Sequence, residues 1–485
     1  MSRLDRPTLK LSKLTRGELS WVLVEHMEDL HCGMGLWNSL EIENRANFRT
    51  PLPLIVRPPV EPELKPDLAS RIRHVLYVIL PQLVEGLLLS PDHVDLIRIA
   101  DDSADFLRKA FAGLPNESGV QKFLGSSTPR GWDAKRKLVW LGTHSYLCRD
   151  MFRAYVEREG KDQSDIGLTD DFICQECTEW SGLAPVDFLA GTLDIHDSLR
   201  VDLRSWSQRH FAFYRVQKSG EKTIHVQNLI NSQDYAVRMD APGNPFKEGC
   251  VVFGALVPWG GEWYWSGLQQ DFGPLPESED NSLRGTFLKH SSAIAYRYCP
   301  DRRDKARESL RIQREAFERR HGNDLKEYPD GLSMAADWQA DGRERFAALP
   351  EGERLRVMAR HGLKDSKPAL NIPMPILDSQ SGIGVYFNPQ EGVEILPQFD
   401  LVKSALNKKG KNMTSEGAEM LVGVMQDQNL SPDFILRLIK AHGDESMRAA
   451  FLLERHPEPY VIDYLCRRYK GRFFKERYPN LNVVE

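Results

Sequence analysis

The sequence predicts an α+β protein that is mainly α-helical, with a helical N-terminal unit, a small β-barrel-like module at its centre, and a C-terminal hairpin followed by helices. Three observations lead there. Apolar residues recur at helical spacing along most of the 485-residue chain. Between Trp206 and Phe272 that rhythm gives way to short runs rich in β-branched and aromatic residues, separated by turn residues. A second, isolated hairpin pattern flanks Asn388-Pro389-Gln390-Glu391.

In chain order, residues 17–44 carry Leu19, Val22, Leu23, His26, Met27 and Leu30 at helical spacing, with Thr15 and Glu18 as a capping box. This pattern runs through Gly33-Met34-Gly35. The Pro-rich stretch 50–66 reads as a connector, because proline breaks both helix and central strand. Helices are expected at 68–89, 91–111 and 134–158, then from Thr169-Asp170-Asp171 through Glu179, and from Ala184-Pro185. Residues 1–205 therefore form a helical domain.

Five strands follow in the module 206–272: Phe211–Val216, Thr223–Val226, Tyr235–Arg238, Cys250–Phe253 and Glu262–Ser266. Gly260-Gly261 is the hairpin signal before the last. Short strands of this number suit a closed barrel, since closure removes exposed edges. Alternation puts Trp263 and Trp265 on one face and Tyr264 on the other, while Trp259 in its Pro-Trp-Gly-Gly turn is expected to be accessible. Residues 274–282 read as a linker. A charged helical region, 286–367, includes a helix from Arg302 to His321. The last domain, 376–485, holds the hairpin and further helices.

Composition narrows the function classes. With 27% charged and 41% hydrophobic residues and a formal net charge of −5, the chain is ordinary globular material with no global pull toward nucleic acid or acidic lipid. Seven cysteines at irregular spacing favour a reducing compartment. The apolar run 75–89, interrupted by Pro81, Gln82 and Glu85, is too short to span a bilayer. The first residues lack the pattern of a secretory signal. The expectation is a cytoplasmic protein without membrane contact.

Four groups of residues have chemical potential. His144 and Cys148, four apart and expected on one helical face, combine with Cys174-x-x-Cys177 into a candidate zinc set; the alternative is a packed core, where buried thiols behave as small hydrophobes. Asp194, His196 and Asp197, together with His144, are the residue types of a metal-dependent hydrolase, with nucleic acid among its candidate substrates. The alternative is a helix-capping turn. Arg303, Arg307, Arg311 and Arg314 advance along one helical face and are either a phosphate-binding stripe or a salt-bridged surface. Arg467, Arg468, Lys470, Arg472, Lys475 and Arg477 alternate with Tyr464, Tyr469, Phe473, Phe474 and Tyr478. Cations beside stacking rings are the ingredients of single-strand binding, while the same rings also anchor a terminal helix to a core.

The run from Ile224-His225-Val226-Gln227-Asn228-Leu229 through Tyr235-Ala236-Val237 to Gly254-Ala255-Leu256-Val257-Pro258, ending in Trp265-Ser266-Gly267, resembles a small β module of uncharacterised bacterial proteins. Tyr386-Phe387-Asn388-Pro389 and Pro397-Gln398-Phe399 give a similar impression. No activity or catalytic residue is implied by the resemblance. The expected function is a non-enzymatic, multidomain interaction protein that binds nucleic acid or a partner protein through the two basic clusters and Trp259. The rival expectations are the hydrolase and a structural subunit of a homo-oligomer or larger assembly.

Overall fold

The computed structural model describes residues 9–48, 67–84, 93–176, 178, 182–239, 246–290, 292–361, 372–451 and 461–480. The connector 50–66, residues 240–245 and Cys177 lie outside them. The chain divides into two compact units: residues 1–303, 456–476 and 482–485 form the first, and 304–455 and 477–481 the second. The helical segment and the β module, expected as separate domains, thus share one unit.

In the first unit, the helices Lys13–His31, Leu36–Phe48, Leu68–Leu83, Val94–Phe111, Gly131–His144, Arg149–Glu159, Ile166–Gln175, Pro185–Thr192 and Asp197–Ser205 surround a common apolar core. The first is capped by Ser12, whose side chain accepts from the Thr15 N–H, one turn earlier than expected. Helix does not continue through Gly33-Met34-Gly35. Both glycines adopt positive φ, 64° and 84°, and the Asp29 carboxylate accepts the Leu36 and Trp37 N–H groups that open the next helix.

The module is a closed five-stranded barrel. Its strands are β1 (Phe211–Ser219), β2 (Thr223–Asn228), β3 (Asp234–Arg238), β4 (Cys250–Trp259) and β5 (Glu262–Trp265). They pair in the order β1-β2-β3-β5-β4, and β4 returns to β1, with Phe211 opposite Ala255 and Arg215 opposite Val251. All these pairings are antiparallel except that of β3 with β5, which is parallel at Val237 and Trp263. A sixth strand, β6 (Gln270–Pro274), lies beside the first half of β4. Tyr214, Val216, Ile224, Val226, Tyr235, Val237, Val252, Leu256 and Trp265 fill the interior, with Trp263 packed against them. Gly254 is required there, because a Cβ would sit 2.8 Å from the Trp265 ring.

Residues 274–282 are not a linker. The helix Glu277–His290 begins within them, with Glu277, Glu279 and Asp280 in its first turn, where the helix dipole favours acids. Asp280 also pairs with Arg215 of β1 at 2.5 Å, and Phe287 packs against Phe213 and Phe253 on the outside of the barrel.

The second unit is built on β7 (Leu325–Tyr328), β8 (Ile383–Asn388) and β9 (Gly392–Pro397), an antiparallel sheet in that order. The expected hairpin is β8–β9, while β7 has too little β-branched character to stand out. The helices Gly331–Ala348, Glu351–His361, Phe399–Asn407, Ser415–Gln426, Pro432–His442 and Glu445–Ala450 accompany the sheet.

Candidate functional site

Among the described residues of the first unit, a largely buried polar node lies beneath the barrel. The helix Gly131–His144 supplies Lys135, the helix Ile166–Gln175 supplies Asp170 and Asp171, and the segment before β1 supplies Arg209. Ser266 follows β5. Lys135 Nζ lies 2.5 Å from Asp170 Oδ1, and Arg209 reaches Asp171 at 2.6 Å and Asp170 at 3.4 Å. The Ser266 hydroxyl donates to Asp170 Oδ2 and accepts from Lys135 Nζ and Arg209 Nε, each at 3.0 Å.

A serine beside a lysine suggests a nucleophile and its base, but the hydrogen bonds rule that role out in this state. One donor and two acceptor positions are all a hydroxyl has, and all three are used. Arg209 is 0% exposed and Ser266 2%. Two cations face two carboxylates, of which Asp170 is fully buried and Asp171 partly exposed, and the node fixes the barrel to the helices. Gly267 packs closely against it, since a Cβ there would stand 2.9 Å from Asp170 Oδ2.

The same attachment decides the fate of Trp259. Expected at an accessible turn, it is 1% exposed. Its indole N–H donates to the Thr128 carbonyl at 3.2 Å, and its ring meets Trp206 edge-on at 6.2 Å. The outward faces of β4 and β5, with Val257, Trp259 and Tyr264, are part of the helical core.

The open face of the barrel is on β2 and β3. Ile224, Val226, Tyr235 and Val237 point inward, so alternation turns Thr223, His225 and Gln227 of β2 and Asp234, Ala236 and Arg238 of β3 outward. His225 and Ala236 stand opposite one another and both are exposed. Lys218 of β1 is on the other side of His225, beyond a bulge after Val216. Lys222 occupies the β1–β2 turn, also exposed. Neither lysine has a carboxylate partner among the described residues, whereas Arg238 pairs with Glu262 at 2.8 Å.

The arginine face of the helix Pro300–His321 carries its own counter-charges. Arg303 pairs with Glu476, Arg307 with Asp304 at 3.7 Å, Arg311 with Glu308 at 2.6 Å and with Glu315, and Arg314 with Glu318 at 2.7 Å. The terminal cluster is similarly engaged. Arg467 pairs with Asp463 at 2.8 Å and lies over the Phe474 ring. Arg468 donates to the Tyr464 hydroxyl at 3.2 Å and lies over Tyr469, and Arg472 lies over Phe473. Lys470 is 0% exposed. The Lys475 charge acts on the buried Asp187 carboxyl, drawing its pKa down against the larger upward push of burial. Arg477, in the second unit, pairs with Glu391 and Asp433, both at 2.8 Å.

The metal set does not assemble among the described residues. The helix that contains His144 ends at that residue, and Cys148 precedes the next helix, so the two are not neighbours on one helical face. His144 is exposed and bonded to Thr143. Cys148 and Cys174 are 0% exposed, and burial pushes their thiols up, to about 12 and about 11. Cys177 lies outside the described residues. Asp194, His196 and Asp197 are exposed; His196 caps the helix Asp197–Ser205 through the Ser198 N–H, and Asp197 pairs with Arg200. Among the described residues no group of three or more His, Cys, Asp or Glu side chains is placed to hold a metal ion, and no helix is long and apolar enough to cross a membrane.

Residues 15–174 are similar to a family described as proteins of unknown function, DUF3843. The match falls on the N-terminal helices and stops before the β module. No curated protein and no solved structure matches the chain.

Proposed function

We propose that this protein is a non-enzymatic binding protein whose barrel takes single-stranded nucleic acid across the β2–β3 face. One observation carries the reading, the strand order. The order β1-β2-β3-β5-β4, closed from β4 to β1 with β3 parallel to β5, is that of the oligonucleotide- and oligosaccharide-binding barrel, which receives ligands on strands 2 and 3 and the neighbouring loops. Fold alone leaves the ligand open, and the side chains favour a polyanion with planar bases. The exposed imidazole of His225 has only the small Ala236 across from it on β3, leaving room for a base to stack. Lys218 and Lys222 stand ready for backbone phosphates.

The arginine stripe and the terminal cluster then serve mainly as internal ties, since binding phosphate there means giving up a carboxylate or aromatic partner already in place. The test is fluorescence anisotropy of the full chain with a labelled ten-nucleotide oligouridylate. Loss of base stacking in His225→Ala should cost about 1–3 kcal/mol of affinity. Binding that is unchanged in this variant and in Lys218→Gln/Lys222→Gln would remove the barrel from the ligand path.

A further inference from the structure

A surface in the second unit differs in kind from the neutralised arginine stripe. The helix Phe399–Asn407 ends in Asn407-Lys408-Lys409-Gly410-Lys411-Asn412, a tight loop held in one shape. Lys409, Gly410 and Asn412 all adopt left-handed backbone, with φ of 48°, 71° and 54°. The Gly410 N–H donates to Ser446 Oγ at 3.0 Å, and that hydroxyl donates to the Leu406 carbonyl at 2.8 Å, so a buried serine pins the loop to the end of the helix. Left-handed geometry is costly for Lys409, less so for Asn412 and not for Gly410, and such strain collects at ligand clamps and switch regions.

The loop presents lysines. Lys409 and Lys411 are exposed and Lys408 half-buried, and none of the three has a carboxylate partner among the described residues. Of the acids on this side of the unit, Asp400 and Glu327 are engaged by another lysine. Lys403 holds Asp400 at 3.0 Å and Glu327 at 2.5 Å. Beside the loop runs a groove of about 490 Å³ lined by Asp400, Lys403, Ser404, Asn407 and Lys408. The Asn407 side-chain oxygen Oδ1 is 2.8 Å from His442 Nδ1, so the amide NH₂ is the group turned to donate.

The helix C-terminus alone accounts for one lysine, by the dipole. It does not account for three unpaired ones on a strained, pinned loop. Lysine, serine and asparagine are a donor set that meets sugar-phosphate oxygens without reading base edges. An anionic membrane would favour several Trp, Phe or Leu anchors on one face beside the cations; among the described residues of this unit the exposed large hydrophobics are aliphatic, with only Leu401 on the helix that carries the loop.

We propose that the 407–412 loop and its groove form a second, sequence-independent contact for the phosphate backbone of nucleic acid, distinct from the barrel face. Because it touches phosphates only, this site binds duplex as well as single strands, whereas base stacking on the barrel requires an open strand. Duplex therefore isolates it. The probe is a 20-base-pair DNA duplex titrated with the full chain over a series of salt concentrations. Changing Lys408, Lys409 and Lys411 together to Gln is expected to weaken duplex binding on the order of tenfold or more and to reduce the slope of log affinity against log salt by up to about 2.7, roughly 0.9 per lost phosphate contact. The triple Arg variant keeps both, and His225→Ala leaves duplex binding unchanged. Equal affinity and slope in the wild type and the Gln variant, or no duplex binding by the wild type in 50 mM salt, overturns the proposal. So does lysine-dependent binding to phosphatidylserine vesicles without duplex binding, which would assign the loop to a membrane. None of these outcomes depends on whether the barrel binds single strands.

Discussion

Among single residues, the difference between a buried and an exposed ion pair governs what each charge does. Asp170 is 1% exposed and lies against two cations. Replacing it with Asn leaves Lys135 and Arg209 under-compensated in a low-dielectric site, which should cost about 3–5 kcal/mol in urea unfolding of the full chain. Ser266→Ala removes a shared donor and acceptor and should cost less, about 1–3 kcal/mol. Trp259→Ala opens a large cavity, with an expected loss of about 3–5 kcal/mol and no specific effect on oligonucleotide affinity once the folded fraction is held equal. Arg311, solvent-exposed between Glu308 and Glu315, is the contrast: Arg311→Gln should leave both the urea midpoint and the salt slope of binding where they are.

At the level of elements, period-2 runs of aromatic and β-branched residues marked all five barrel strands in the sequence, and turn residues marked their ends. Alternation also separated Trp263 and Trp265, inside the barrel, from Tyr264, which belongs to the helical core. What alternation does not supply is the neighbour outside. Trp259 is buried because the helix Gly131–His144 lies against β5, with Gly131 close enough that a Cβ would come within 3.1 Å of the Tyr264 ring. The arginine periodicity over 303–314 was legible, but its neutralisation is only partly local: acids three and four residues away pair with Arg307, Arg311 and Arg314, whereas the partner of Arg303 is the distant Glu476. The lysine loop carries a signal of its own in Lys408-Lys409-Gly410-Lys411. A short basic run says nothing about pairing or backbone strain, so that signal gains weight only from the folded loop.

For the molecule as a whole, burial of neutral histidines ties stability to pH. His210 is packed between the Gln208 carbonyl and the Asn228 amide, and burial, reinforced by Arg297, pushes its imidazole down from 6.5 to about 3. The unfolded chain takes up this proton near pH 6.5 and the folded chain does not, so the contribution is complete above that pH and is lost as pH falls toward 3, at up to about 1.4 kcal/mol per pH unit. Asp29 and Asp187, raised by burial, act in the opposite sense. The clean measurement is therefore the difference between wild type and His210→Gln in urea unfolding at pH 7, 6 and 5: the stability gap should narrow as pH falls, and a constant gap would show that His210 titrates alike in both states.

By itself the sequence determined the secondary-structure content, the position of the barrel, the second hairpin and the identity of the cationic runs, because periodicity, turn chemistry and composition are local properties of a chain. Only the tertiary structure decided which charges are already neutralised, which tryptophan faces a neighbouring helix, and how the barrel strands connect. Those depend on residues far apart in the chain meeting in space: Lys135 meets Ser266, β4 meets β1, and β3 lies parallel to β5. Side-chain charge is fixed by covalent chemistry, but its availability to a ligand is fixed by the company it keeps after folding.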